Sequence, residues 1–141
     1  MIRKASAVWN GNLRDGKGTV TTESGVLAQT PYSFRSRFET GTGTNPEELI
    51  AAGHAGCFTM ALSAQLTGAG LTPDAIATSA ALTLEKLEAG WTVTKIHLEV
   101  TGRVPGVTDE KFQKVAADAK ANCPISRLLK ADITLKATLN A

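Results

Sequence analysis

The chain has 141 residues, of which 43% are apolar and 20% charged, with a formal net charge of +2. This composition excludes a disordered chain, and the small, evenly spread charge gives no electrostatic footprint for a nucleic-acid partner or an anionic membrane surface. The length predicts one domain, residues 1–141, or two small lobes sharing a core, and two cysteines without a signal peptide predict a cytoplasmic protein in which any disulfide is transient.

Residues Met1 to Trp9 alternate loosely and predict an opening strand, closed by the turn signal Asn10-Gly11-Asn12. Gly16 to Glu23 reads as a Thr-rich strand ended by Ser24-Gly25. Pro31 to Glu39 alternates, with Tyr32, Phe34 and Phe38 as spaced aromatics, which predicts a third strand with Arg35 and Arg37 on one face, and Gly41 to Thr44 is a flexible lead into a long helix.

Asn45 to Gly68 is the stretch around which the chain is organised. Asn45 is a good N-cap, Pro46 fits the first helical position, and Glu47 and Glu48 suit the positive end of the helix dipole. No charge follows until Asp74, so the pattern predicts a helix buried nearly all round; its small residues and its length argue against a membrane span. Gly53 and Gly56 each cost on the order of 1 kcal/mol relative to Ala in a helix. Close approach of another backbone, either a sheet or the same helix of a second subunit, would offset that cost.

Gly68 to Pro73 turns the chain, and Ala77 to Glu88 with Gly90 to Val104 predict a long hairpin stopped by Pro105-Gly106. Thr108 caps a helix to Asn122, with Asp109 and Glu110 in its first turn and Phe112, Val115, Ala116 and Ala119 on one face. Pro124 to Lys130 is a short helix and Ala131 to Leu139 a closing strand. The sum predicts an α+β fold with antiparallel sheets around a buried central helix.

Cys57 and Cys123 are the candidate chemistry. Cys57 on a helix of small residues is equally consistent with a packed, inert thiol. Cys123 precedes Pro124, which makes it an N-cap whose sulfur meets unpaired backbone donors. Arg37 could lower a thiol pKa, and Glu47 could hold the guanidinium in a forked geometry. Glu47 and Cys57 lie ten residues apart, about 15 Å of rise on a straight helix, so they cannot touch along it. A shared site would need a helix broken near Gly53, a Glu47 that meets the Cys57 of a second chain, or Arg37 spanning part of the gap. His54 lies one turn before Cys57 and reads as a packing or dimer-contact residue; with His97 elsewhere, the histidines and cysteines are too few and scattered for a metal site. No phosphate loop, dinucleotide fingerprint or serine-nucleophile motif is present, so no cofactor is expected.

Four segments in order, Ser33 to Glu39, Gly43 to Ile50, His54 to Phe58 and Asn122 to Ser126, together resemble the OsmC/Ohr family of osmotically inducible and organic hydroperoxide resistance proteins. His54 and the run Thr59 to Ser63 are more similar to the OsmC branch. The resemblance covers nearly the whole chain as one OsmC-like domain. It implies an intertwined homodimer with active sites at the subunit interface, and a thiol-dependent peroxidase; the apolar surround of the thiol then predicts organic hydroperoxides in preference to hydrogen peroxide. In that scheme Cys57 attacks the peroxide and becomes a sulfenic acid, Cys123 condenses with it to a disulfide, and an external dithiol, of lipoyl type in the family pattern, resets the pair. Glu47 carries over directly, and Arg37 is the matching arginine ahead of Arg35 and Arg14. Two rivals stand beside this reading: a non-catalytic stress-response binding protein with inert cysteines, and a thiol redox sensor on the same fold.

Overall fold

The computed structural model describes residues 1–140, and the chain divides into two compact units, residues 1–49 and residues 50 onwards. In the first, β1 (Ala5–Asn10), β2 (Lys17–Thr22) and β3 (Thr30–Tyr32) form an antiparallel sheet in chain order. Asn10 faces Lys17 across the predicted turn, and Gly11 takes the positive φ of +95° that the turn requires. Trp9 and Tyr32 flank Gly18 with ring centroids 5.4 Å apart. A Cβ on Gly18 would lie 2.4 Å from the Tyr32 ring and 2.6 Å from Trp9, so the glycine is what lets the two rings close over the strand.

The third predicted strand needs correction. It stops at Tyr32, and Phe34–Phe38 is a short helix, α1. Ser33 caps it: its Oγ accepts from the Ser36 N–H at 3.1 Å, while Ser36 Oγ accepts from the Ser33 N–H at 2.8 Å. Aromatics four residues apart satisfy a strand's period and a helix's alike, and this reciprocal cap selects the helix, which brings the Phe34 and Phe38 rings to 5.0 Å. Arg35 and Arg37 therefore do not share a face. Arg35 pairs with Glu39 one turn on, at 3.6 Å. The glycine-rich lead is also tied down: Thr44 is buried, its N–H donates to Pro31 O at 3.0 Å, and Ser36 Oγ donates to Thr44 O at 2.8 Å.

Helix α2 (Pro46–Gly68) starts where expected, with Asn45 Oδ1 accepting from the Glu48 N–H at 2.7 Å, and it runs unbroken into the second unit. There β4 (Ala75–Leu87) and β5 (Gly90–Arg103) form the predicted hairpin, with Leu87 facing Gly90 and a bulge at Thr83/Leu84. Helices α3 (Asp109–Asn122) and α4 (Pro124–Leu128) precede β6 (Asp132–Asn140), and the sheet order is β4-β5-β6. Strand β6 runs parallel to β5, with Ile96 opposite Ile133 and Arg103 opposite Asn140. The wholly antiparallel sheet is thus a second correction. The two helices between β5 and β6 make a crossover long enough to carry the chain back to the starting end of β5, which a hairpin turn cannot do.

The core of this unit joins Phe58, Leu62 and Leu66 of α2 to Ile96, Leu98 and Val100 of β5. Phe112, Val115, Ala116 and Ala119 of α3 complete it, the face expected from the sequence. A Cβ on Gly102 would sit 2.7 Å from the Phe112 ring, so this strand glycine makes room for the largest α3 side chain.

The buried side chains of α2 are His54, Phe58, Leu62 and Leu66, spaced four apart on one stripe. Gly53, Gly56 and Met60 lie exposed, Met60 at 76%. The chain by itself therefore packs one face of this helix and leaves the small-residue face open, where burial all round was expected. At 23 residues α2 is also long and apolar enough to cross a membrane by length and composition alone, which corrects the expectation that it is too short. The part of it that the chain's own core covers is the stripe of His54, Phe58, Leu62 and Leu66.

Candidate active site

Cys57 follows Gly56 on α2, next to the buried stripe, and is itself half-buried. Cys123 is 1% exposed and sits at the junction of α3 and α4. It serves both helices: its N–H donates to Ala119 O at 3.0 Å to close α3, and its Sγ accepts from the Ser126 N–H at 3.4 Å to open α4, with Pro124 in the first turn. Both thiols are free, and the fold packs Cys57 against the core that holds Cys123, bringing the two sulfurs close enough to influence one another.

The surroundings of Cys57 disfavour its thiolate. Burial pushes the thiol up from its ordinary value, and the neighbouring Cys123 thiol adds to the rise, while the backbone N–H of Ile125, donating to the sulfur, pulls the other way. A thiol in this state is a poor nucleophile near neutral pH until a cation joins it.

Arg37 and Glu47 meet within the first unit. Arg37 Nη2 and Nε both donate to Glu47 Oε1, at 2.7 and 3.1 Å, and Nε reaches Oε2 at 3.2 Å, so the guanidinium is held by a fork. The same guanidinium lies over the Phe38 ring, 5.1 Å from its centre. Glu47 occupies the first turn of α2, where the helix dipole keeps a carboxylate in place. Arg14 lies 5.5 Å over the Phe34 ring, and Arg35 is engaged with Glu39. Of the three candidate arginines, Arg37 is thus the one held in a fork by a carboxylate. It also lines an apolar pocket of about 410 Å³ with Trp9, Leu13, Tyr32, Phe34 and Phe38. Because α2 is continuous through Gly53, the broken-helix route between Glu47 and Cys57 does not exist.

Sequence reasoning missed the part played by His54 and Ser126. His54 is fully buried, as packing requires, yet its Nε2 lies 2.7 Å from Ser126 Oγ, and Ser126 Oγ lies 3.2 Å from Cys123 Sγ. His54 Nδ1 is buried without a hydrogen-bond partner among the described residues. The local signal was present: His54 stands one turn before Cys57 and Ser126 one turn after Cys123, but nothing in the spacing ties one to the other. Burial lowers the His54 pKa from its ordinary value of 6.5, so the ring is neutral at pH 7. Below that value the unfolded chain takes up a proton that the folded chain resists, so the stability this residue contributes is complete above about pH 6.5 and drains away as pH falls. The difference in unfolding free energy between wild type and His54→Gln is therefore expected to shrink as pH drops from about 7.5 to about 5, measured by urea titration; a pH-independent difference would contradict a neutral buried imidazole. His97 is elsewhere, with Nδ1 2.6 Å from Thr134 Oγ1, and among the described residues no group of three or more His, Cys, Asp or Glu side chains could hold a metal.

An α+β chain in which a long helix and a helix junction carry two free cysteines into contact is a dithiol protein. The family model for OsmC-like protein matches residues 39–138, and the chain belongs to that family. It is 53% identical over 133 residues to the Peroxiredoxin OsmC of Escherichia coli (strain K12), covering 94% of this chain and 93% of that protein. The solved structure of the organic hydroperoxide resistance protein OhrB of Bacillus subtilis superposes with a TM-score of 0.68 at 26% identity, over 97% of this chain and 98% of that one. An OsmC-like protein from Mycoplasma pneumoniae shares the fold at a TM-score of 0.79 and 15% identity, over 100% and 99% of the two chains. The higher identity to the OsmC relative agrees with the branch read from His54 and Thr59 to Ser63.

Proposed function

We propose that this protein is a cytoplasmic thiol peroxidase that reduces organic hydroperoxides to alcohols. The observation that carries the reading is the contact between two free thiols from distant segments, Cys57 and Cys123. The names of the relatives, a peroxiredoxin and an organic hydroperoxide resistance protein, support it. The Cys57 thiolate attacks one peroxide oxygen, the O–O bond breaks, and the alkoxide leaves as the alcohol after taking a proton; Cys57 becomes a sulfenic acid. Cys123 then attacks the Cys57 sulfur, the S–O bond breaks, and water leaves as the disulfide forms. An external dithiol, such as a dihydrolipoyl group, reduces the disulfide and returns both thiols, itself leaving as a cyclic disulfide.

The protein works as a homodimer in this reading. The exposed Gly53, Gly56 and Met60 face of α2 offers a second copy close backbone approach, and Arg37, held by Glu47, supplies its charge to Cys57 of the partner subunit. The aromatic pocket at Arg37 takes the organic group of the hydroperoxide, which favours cumene hydroperoxide over hydrogen peroxide. Mass spectrometry after one equivalent of cumene hydroperoxide is expected to find a Cys57–Cys123 disulfide, with the same equivalent of hydrogen peroxide converting less protein in the same time. Two thiols still reduced after the organic peroxide would rule the reading out, and equal conversion by both peroxides would remove the pocket's role.

A further inference from the structure

The peroxidase chemistry leaves a buried, chemically able group unused. His54 and Ser126 form a hydrogen-bonded line ending on the sulfur of Cys123: His54 Nε2 to Ser126 Oγ at 2.7 Å, and Ser126 Oγ to Cys123 Sγ at 3.2 Å. All three side chains are buried, His54 completely and Ser126 at 8% exposure. A core position that needed only volume would be filled by Leu or Phe, as the same α2 stripe is at Phe58, Leu62 and Leu66.

The unpartnered Nδ1 fixes the direction of the line. A neutral imidazole carries one proton, and a buried N–H with no acceptor is costlier than a bare ring nitrogen. The proton therefore sits on Nε2 and is donated to Ser126 Oγ. With its oxygen accepting from His54, the Ser126 hydroxyl hydrogen is left for Cys123 Sγ, the remaining hydrogen-bonding atom beside it. The Ser126 N–H reaches the same sulfur at 3.4 Å. Cys123 Sγ thus receives two donors from one residue, both directed at the atom that bears the negative charge in the attacking thiolate.

We infer that His54 is a positioning residue for the second half-reaction, acting through Ser126 to hold and solvate the Cys123 sulfur as it attacks Cys57. The inference rests on the peroxidase reading for its biological setting, but the step it concerns is thiol–disulfide chemistry that can be run without peroxide. In turnover the S–S bond forms between Cys123 and Cys57 as the Cys57 S–O bond breaks. The Cys123 sulfur is oxidised and the Cys57 sulfur reduced to the disulfide level, and the Cys123 proton leaves with the hydroxyl as water. His54 keeps its own proton throughout. Its part is to orient the Ser126 hydroxyl, which distinguishes it from a general base.

An aryl disulfide, dithiobis(nitrobenzoate), isolates this step. It caps the more exposed Cys57 and releases one thionitrobenzoate; attack by Cys123 on the capped Cys57 sulfur then releases a second with a proton. The readout is the rate of the second release relative to the first within each trace. Ser126→Ala and His54→Phe are each expected to lower that ratio about tenfold, the effect of one lost hydrogen bond that holds and solvates the attacking thiolate. The double variant should be no slower than either single one, because both remove the same line. His54→Gln, whose amide N–H can replace Nε2–H, should restore most of the ratio. A wild-type ratio in Ser126→Ala, or a His54→Gln variant as slow as His54→Phe, would overturn the inference while leaving the peroxidase reading intact. Ser126→Ala removes one atom and carries the test should His54→Phe fail to fold. No second release from wild type would mean that the thiols do not pair, and both the inference and the peroxidase reading would fall.

Discussion

Cys57→Ser is expected to abolish hydroperoxide consumption, leaving under about a thousandth of the wild-type rate. A serine hydroxyl in the same place keeps the packing against the core but has no accessible anion near neutral pH, and oxygen is a poor nucleophile towards a peroxide bond. Cys123→Ser should behave differently. Its first turnover should proceed at close to the wild-type rate, because in the proposed mechanism Cys57 alone attacks the peroxide, and turnover should then stall. With no partner thiol in contact, the Cys57 sulfenic acid persists and is driven by excess peroxide to the sulfinic acid, an irreversible state. Peroxide consumption followed with mass spectrometry of the intact chain separates the two variants: Cys57→Ser stays reduced, and Cys123→Ser gains two oxygens. Equal peroxide consumption by wild type and Cys57→Ser would identify the cysteines as inert core residues.

Arg37→Met should cut the second-order rate with hydroperoxide at about pH 7 by roughly a hundredfold, and that loss should be recovered as pH rises towards about 10. Burial by itself raises the Cys57 thiol above its ordinary value. Even an ordinary thiol is only a few per cent ionised near neutrality, so without a cation the reactive fraction is very small. Removing the guanidinium leaves the pKa high, and base restores the thiolate; a role in substrate binding alone would not be rescued by pH. Arg37→Lys should fall between, because an ammonium keeps the charge but cannot reproduce the 2.7 and 3.1 Å fork with Glu47. The two-chain arrangement has its own signature. Glu47→Ala and Cys57→Ser subunits mixed and allowed to exchange give dimers half of which contain one intact site, so about a quarter of wild-type activity should return. No recovery on mixing would count against the two-chain arrangement.

The readable parts of this protein were local. Asn45 before Pro46, Thr108 before Asp109 and Cys123 before Pro124 mark helix starts because a cap and its first turn lie within four residues of each other. The buried face of α3 followed from its own spacing, and the hairpin from two apolar runs and a glycine. Where two local signals competed, the pattern misled: Phe34 and Phe38 fit a strand as well as a helix, and the exchange of hydrogen bonds between Ser33 and Ser36 decided for the helix. The site was legible only in pieces. Its cysteines, Arg37 and Glu47 could be nominated, and a family resemblance linked them, but spacing alone left each with an ordinary structural explanation.

What the sequence determined by itself is therefore the inventory: one long helix, uncharged after its first turn and bearing a thiol, a second thiol at a helix junction, and an arginine with a carboxylate ten residues away. Tertiary structure alone decided that the thiols touch, that β6 returns parallel to β5, that one stripe of α2 is covered and the other open, and that His54 reaches Ser126. The physical reason is one of range. Caps and periodicities act within a turn or two of chain, whereas these contacts join segments tens of residues apart, and their distances are set by how α2 and α3 pack on β5, a property of the whole core that no window of sequence contains.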